Sequence, residues 1–433
     1  MQLSSLQTQS VTIDQTQFGY LENVVPDSMK FAPIQRGMSA RRTPIKVRPD
    51  SGQTWTSNGN KIIRFNLPND ALYDTRYGWL SFTVALAVTG GTYSRFHSGI
   101  FSIIRRLRVM AGATELEDLD YYNRLQAFLW EILNPPDVTS AIGVTTMGFG
   151  TQAQRNGLSP QSDYACPLFS GVLNTELLPL DNIKGYVWVE ITLEDGVNCV
   201  ETDGTNPVIT VSNPIFHVER LDIDPAYRAR LSSMVASQGL RIGFRTWNRF
   251  VTALTTGSMQ QITLNTKNSS INSILNFLIN SSTISDTTVN DKFLTWLPTP
   301  VGGVGTFQRT QLQINGKQFP EEPIECLSTQ RYEAFQMLCR WCMKWKLNGI
   351  LDIAPPISNA AFQVNRFVQI DDLEAYPEYP QLVNPASTVN ISNSLLKTFN
   401  FTNTIGANYQ IDQWVESFRE VRISQQGQAI VYQ

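Results

Sequence analysis

One local plan is written twice in this chain, and the duplication limits its fold more than any other feature. The stretch LRVMAGATELEDLDYYNRLQAFLWEIL begins at Leu107, and LQINGKQFPEEPIECLSTQRYEAFQMLCRWC begins at Leu312. Leu107 and Val109 alternate with Arg106 and Arg108, as Leu312 and Ile314 do with Gln311 and Gln313, which is the period-two signature of a half-buried strand. Gly112 and Gly316 follow, residues that turn a chain at low steric cost. An acidic stretch comes next: Glu115, Glu117, Asp118 and Asp120 in one copy, Glu321, Glu322 and Glu325 in the other. Each copy then takes helical spacing, with Tyr121, Leu125, Phe128, Leu129 and Ile132 on one stripe and Tyr332, Phe335, Cys339 and Cys342 on the other. The copies lie 205 positions apart in 433 residues, so the sequence predicts two domains of one architecture rather than a short solenoid repeat.

Composition narrows the classes. An apolar fraction of 42% is enough for real cores, while a charged fraction of 16% is low against a usual ~25% and fits a surface spent largely on contacts with other protein. A net charge of −3 excludes a generally basic nucleic-acid binder but leaves room for a local basic segment. No apolar run approaches the ~20 residues of a membrane span. MQLSSLQTQSVTIDQTQFGY has neither the charged nor the apolar region of a secretion signal, so synthesis in the cytoplasm and a soluble product are expected. Of five cysteines only Cys339 and Cys342 form a C-x-x-C, and the two histidines, His97 and His217, lie far from it. A structural zinc needs four ligands, so the pair reads as two thiols on a buried helix face, with no metal and no cofactor.

Residues 1–57 are rich in Gln, Ser, Thr and Pro without sustained periodicity, and read as an extended arm. Between Met29 and Pro49 this arm holds Lys30, Arg36, Arg41, Arg42, Lys46 and Arg48 and no acidic residue. Two readings stay open for that cluster: a tether toward nucleic acid, a membrane surface or a neighbouring subunit's acidic face, or a solvated arm pinned to its own domain. Strand patterns dominate to about residue 222, as in GWLSFTVALAV, where Leu80, Phe82, Val84, Leu86 and Val88 share a face, and in GYVWVEITLED, where Val187, Val189, Ile191 and Leu193 do. A Gly-, Ser- and Thr-rich excursion over 134–165 reads as a functional or partner-facing loop. DPAYRARLSSMVASQG puts Tyr227, Leu231 and Val235 on one helical face and serves as linker before strands resume at Leu240. PTPVGGVGTF lacks the helix and the Gly-Lys-Ser/Thr ending of a phosphate cradle. The sequence carries no Gly-x-Ser-x-Gly elbow, no His-Glu-x-x-His and no Walker signature, and Asp371, Asp372 and Glu374 read as a solvated strand end rather than a glycosidase pair.

Two further stretches complete the pattern. CPLFSGVLNTELLPLDNIKGYVWVEITLED, from Cys166, places a Pro-Leu strand, a Leu-Pro-Leu turn and an alternating strand in one run; NPIFHVERLDIDPAYRARLSSMV, from Asn213, runs a strand into the linker helix. With the duplicated plan they make most of residues 60–433 resemble the double-jelly-roll major capsid proteins of tailless icosahedral DNA viruses, by pattern and order rather than by an invariant motif. The second half has no clear copy of the Leu-Pro-Leu turn. The resemblance implies an all-β fold of two tandem antiparallel jelly-roll sandwiches with short flanking helices: arm 1–57, first jelly roll 58–222, linker helix 223–239, second jelly roll 240–433. It implies a non-enzymatic protein of the virion capsid, made in the host cytoplasm, that assembles as a homotrimeric pseudo-hexagonal capsomer and then tiles an icosahedral shell beside neighbouring capsomers and penton, minor or cement proteins. By the same analogy 134–165 and 282–305 are outer or trimer-top loops. The basic arm lies inward or between capsomers, where an inner membrane or the genome is within reach. The rival readings are a tandem-sandwich carbohydrate-binding or host-attachment protein and a jelly-roll carbohydrate-active enzyme.

Overall fold

In the computed structural model, which describes residues 40–50, 52–134, 138–149, 161–174, 177–266, 270–289, 291–293, 306–326, 332–346, 362, 366–373, 395–406 and 408–432, the alternating stretches become strands in two sets of eight. The first set is β1 (Ala40–Val47), β2 (Ile62–Leu67), β3 (Leu72–Thr89), β4 (Ile104–Ala111), β5 (Thr114–Asp120), β6 (Gln161–Pro167), β7 (Val187–Leu193) and β8 (Thr205–Ile223). The second is β9 (Leu240–Ala253), β10 (Gly257–Leu264), β11 (Ile271–Asn280), β12 (Phe307–Ile314), β13 (Lys317–Glu325), β14 (Gln369–Asp372), β15 (Leu395–Ile405) and β16 (Tyr409–Ile423). Short accessory strands flank them, Thr54–Thr56 against β8 and Ala429–Tyr432 against β16 among them.

Hydrogen bonding orders the first set as two sheets, β1-β8-β3-β6 and β2-β7-β4-β5, and the second as β9-β16-β11-β14 and β10-β15-β12-β13. Raising every label of the first pair by eight produces the second, so the two halves wind identically. Eight antiparallel strands shared in this order between two facing sheets are two interlocked Greek keys, the jelly roll. The expected all-β tandem jelly roll is therefore the fold. Period-two burial builds each core: Leu80, Phe82 and Val84 on β3 face Val187, Val189, Ile191 and Leu193 on β7, every one of them at most 4% exposed.

The duplicated plan is the β4–β5 hairpin with helix α1 (Tyr122–Leu133), and the β12–β13 hairpin after which helix α3 (Tyr332–Lys346) follows; between them α2 (Pro225–Gln238) joins the barrels. Helix α1 buries Leu125, Phe128, Leu129 and Ile132 as its spacing requires, and also Asn123, Arg124 and Gln126 on the opposite side. A helix covered all round lies inside the molecule, and α1 lies between the barrels. Its Phe128 stands edge-on to Phe277 of β11 at 5.0 Å and 6.0 Å from Trp341 of α3. The duplicated helices thus meet at the seam. For the same reason β11 is buried on both faces from Ile271 to Leu278.

One boundary differs from expectation. Strand β1 pairs with β8 from Ala40↔Ile223 to Val47↔Phe216, and Trp55 is 1% exposed, so residues 40–57 belong to the first barrel and not to an arm running to 57. Only Ile45 and Val47 alternate inward amid Arg41, Arg42, Lys46 and Arg48, too short a signal to read as a strand. On α2, Asp224 caps the first turn by accepting from the Ala226 amide at 2.8 Å, Pro225 opens the helix and Gly239 closes it at φ +74°. Val235 is buried and Leu231 partly so, whereas Tyr227 is half exposed.

Candidate functional site

The residues that convert two barrels into one block lie along the seam. Arg124 on α1 donates from Nη1 to Asp412 Oδ2 of β16 at 3.2 Å, and Arg249 of β9 donates to the same oxygen from Nε at 3.1 Å. The Arg249 guanidinium also lies over the Tyr121 ring, 3.6 Å from its centre, and Tyr121 holds φ +52° to present that ring. Burial lowers the Arg124 pKa, against the attraction of Asp412. Beside them Lys292 is pushed down to about 8, chiefly by burial; its Nζ donates to the carbonyls of Val197 at 3.1 Å and Asp286 at 3.3 Å. Arg366 reaches Glu131 of α1 at 3.0 Å.

A second lock sits at Glu117, 1% exposed in the middle of β5. Its carboxylate accepts from the amides of Gly171 at 3.0 Å and Val172 at 3.3 Å and from the Ser170 hydroxyl. Burial raises its pKa and these donors lower it, the burial effect being the larger. They draw the 170–172 turn so close to β9 that a Cβ on Gly171 would lie 1.9 Å from the Arg245 carbonyl oxygen. The acidic stretch of the duplicated plan therefore includes a structural anchor as well as solvated charge.

The basic cluster divides. Lys30 and Arg36 lie outside the described residues. Arg41, Lys46 and Arg48 are exposed along the β1 edge. Arg42 is held by its own domain, donating to Asp74 Oδ2 and Glu219 Oε2 at 2.8 Å each. Arg76 shares Asp74 at 2.9 Å, and together these donors hold the buried Asp74 carboxyl below its ordinary value, Arg76 most strongly. Arg220, the residue after Glu219 and so on the other side of this wall, pairs separately with Asp70 and Asp222, both at 2.7 Å, and Arg228 of α2 with Asp181 at 2.8 Å.

On the same wall Trp79, 40% exposed, stacks on His217 with ring centres 3.6 Å apart and planes 4° from parallel, and the Ser81 hydroxyl lies 2.8 Å from His217 Nε2. This patch is not legible from sequence, where His217 is only a histidine too far from the C-x-x-C to complete a zinc site; it depends on the His217↔Trp79 register of β8 and β3. Burial, and to a lesser degree the Lys46 charge across the β1 pairing, holds His217 below its ordinary pKa. The folded state thus favours the neutral ring, and the unfolded chain binds the proton first. The stabilisation is present above about pH 6.5 and is lost as pH falls toward the folded value. The melting temperature of the native chain is expected to fall further between about pH 7 and pH 5 than that of His217→Gln. Equal losses in the two proteins would show that this ring does not carry the effect.

Asp371 is a correction. Glu374 lies outside the described residues, but Asp371 is 3% exposed and bonded to Lys397 inside the second barrel, not a solvated strand end. The charge pattern of VQIDD pointed outward; β14 is a strand of the sheet packed beneath α3, and its inward position takes the carboxylate along. Cys339 and Cys342 are on the buried side of α3, and among the described residues no group of three His, Cys, Asp or Glu side chains can hold a metal ion. No described helix is long and apolar enough to cross a membrane.

Two jelly rolls of identical strand order, joined by one linker helix and locked by a helix-lined seam, define a double-jelly-roll protein. Among solved structures the fold is similar to the PBCV-1 virus capsid, with a TM-score of 0.64 and 13% identity over 94% of this chain and 99% of that one. It is similar also to the Faustovirus major capsid protein, with a TM-score of 0.61 and 10% identity over 93% and 94%, and to the Sputnik virophage structure, with 0.55 and 11% over 94% and 91%. No protein-family sequence model matches the chain, and no curated protein matches it by sequence.

Proposed function

We propose that the chain is a major capsid protein of an icosahedral virus, acting by self-assembly: a homotrimer first, then a shell of such trimers. The observation that carries this reading is the repeated sheet order, β1-β8-β3-β6 and then β9-β16-β11-β14. Three chains about a three-fold axis present six similar barrel walls, a pseudo-hexagonal tile able to pave a facet. The likeness of fold to the PBCV-1 and Faustovirus capsid structures over nearly the whole of each chain supports it. The barrels resist splaying because the seam is built of buried charge and aromatic packing, which suits a tile loaded from its sides. Exposed apolar residues on barrel strands, Ile62, Trp79, Val251 and Met259, offer burial to neighbours.

In this reading residues 1–39, with Lys30 and Arg36, and the exposed Arg41, Lys46 and Arg48 at the β1 edge reach beneath the tile toward adjoining capsomers or an inner layer. Penton, minor or cement proteins, a membrane or the genome are the partners of that region. No catalytic role is assigned to the chain, and its place is the virion.

Light scattering coupled to size exclusion tests the reading. A trimer of about 146 kDa, three times the 48.7 kDa chain, is expected to persist on dilution. A chain that stays monomeric at high concentration would move the weight to a binding module. Removing residues 1–39 is expected to leave the trimer intact and abolish ordered shells seen by electron microscopy; shells of unchanged form would remove the role given to the arm. The truncation must stop there, since a deletion to residue 57 takes β1 out of the first barrel.

A further inference from the structure

Lys397 and Asp371 form a fully buried pair inside the second barrel, with side chains 0% and 1% exposed and Nζ 2.7 Å from Oδ1. The two residues belong to opposite sheets. Lys397 is on β15, between β10 and β12, and Asp371 is on β14, beside β11. Around them stand phenylalanines: Phe399 has its ring centre 5.5 Å from Nζ, and Phe307, packed on it, contacts Phe367 and Phe401 as well. Removing two full charges to such a place is costly for both, and the cost falls away if they become one neutral group. Both carboxylate oxygens are already gripped by amides. Gln369 Nε2 donates to Oδ1 at 3.0 Å and Asn276 Nδ2 to Oδ2 at 3.1 Å, with Asn276 itself fixed by Gln413 Nε2 on its Oδ1 at 2.8 Å.

We propose that Lys397 and Asp371 condense without an external catalyst to an amide that joins the two sheets of the second barrel. The step balances within the pair. A proton passes from Nζ to Oδ1 across the contact, leaving an amine and a carboxylic acid. The nitrogen lone pair attacks Cγ, and the C–N bond forms as negative charge collects on Oδ2, where the Asn276 N–H stabilises it. A second proton moves from nitrogen to Oδ1, the Cγ–Oδ1 bond breaks, and one water leaves. Oδ2 remains as the amide carbonyl on Asn276. Burial lowers the Lys397 pKa and so favours the nucleophilic amine. Fixed contact between reactants and the exclusion of water favour both the rate and the product. The bond closes a loop from 371 to 397 and ties β14 to β15, independently of any assembly.

The test is the mass of the purified full chain under denaturing conditions, followed by proteolytic mapping. The expected result is a mass one water below that of the sequence, and a branched peptide joining the segment containing Asp371 to the one containing Lys397. The full sequence mass would overturn the proposal. So would a deficit that mild alkali reverses, or one that maps to a single linear peptide, because either marks a cyclic imide. Lys397→Met is expected to restore the full mass, and a deficit that persists in it counts against the assignment. The native protein decides the question even if that variant does not fold. Asn276→Ala is expected to lower the cross-linked fraction severalfold in fresh protein, and an unchanged fraction would remove Asn276 from the step.

Discussion

Replacing Asp412 with alanine is expected to lower the stability of the folded chain by about 3–5 kcal/mol, the cost of leaving buried charge without its partner. The carboxylate is 1% exposed and serves two guanidiniums, those of Arg124 and Arg249, each with a side chain 9% exposed. Without it two like charges remain close together in a space that water does not reach freely, one supplied by each barrel. Their repulsion pushes the barrels apart along α1. Urea unfolding followed by circular dichroism should show an earlier midpoint and, if the seam opens first, two transitions in place of one. A change below about 1 kcal/mol, the range of exposed ion pairs, would mean that the seam is wet and that this triad does not hold it.

The second large effect is expected from Gly171→Ala. The added carbon would lie 1.9 Å from the Arg245 carbonyl oxygen and 2.8 Å from Phe244 Cδ2. No side-chain rotation relieves a collision with backbone, so the 170–172 turn must retreat from β9 and Glu117 must lose amide donors. Overpacking of this kind costs about 3 kcal/mol or more when it cannot relax. Gly406→Ala is the control: nothing lies within 4 Å of its new carbon, and it should change stability by no more than about 0.5 kcal/mol. Similar thermal midpoints for the two variants would show that the close approach at Gly171 is not a constraint.

The seam also accounts for the duplicated plan. In each barrel the fourth and fifth strands form a hairpin, and the helix after it needs an apolar surface to cover. Phe128 and Trp341 show where both helices found it, against β11 and against each other. The Trp341 indole donates to Ser273 of β11 at 3.0 Å, and Ser273 in turn donates to Glu416 of β16 at 2.5 Å, so polar order continues beneath the aromatic contact.

Alternation along GWLSFTVALAV and GYVWVEITLED was enough to define the core faces of β3 and β7, because a strand half exposed to water must place apolar residues at every second position. Spacing defined α1 and α3 in the same way, and Asp224, Pro225 and Gly239 marked the ends of α2 through local backbone chemistry. These are properties of neighbours in the chain, and a sequence lists neighbours. The inward turn of Asp371, the ion pairing of Arg42, the His217–Trp79 stack and the use of one carboxylate by Arg124 and Arg249 are properties of residues that the chain keeps far apart. In sequence each is an ordinary charged or aromatic position. Arg124 and Asp412 are 288 positions apart and meet because two barrels dock, and the cost of burying a charge applies only once docking has removed the water around it. The positions of the strands along the chain came from short-range pattern; their pairing into sheets, the seam, and the chemistry buried in it and in the second barrel came from long-range packing.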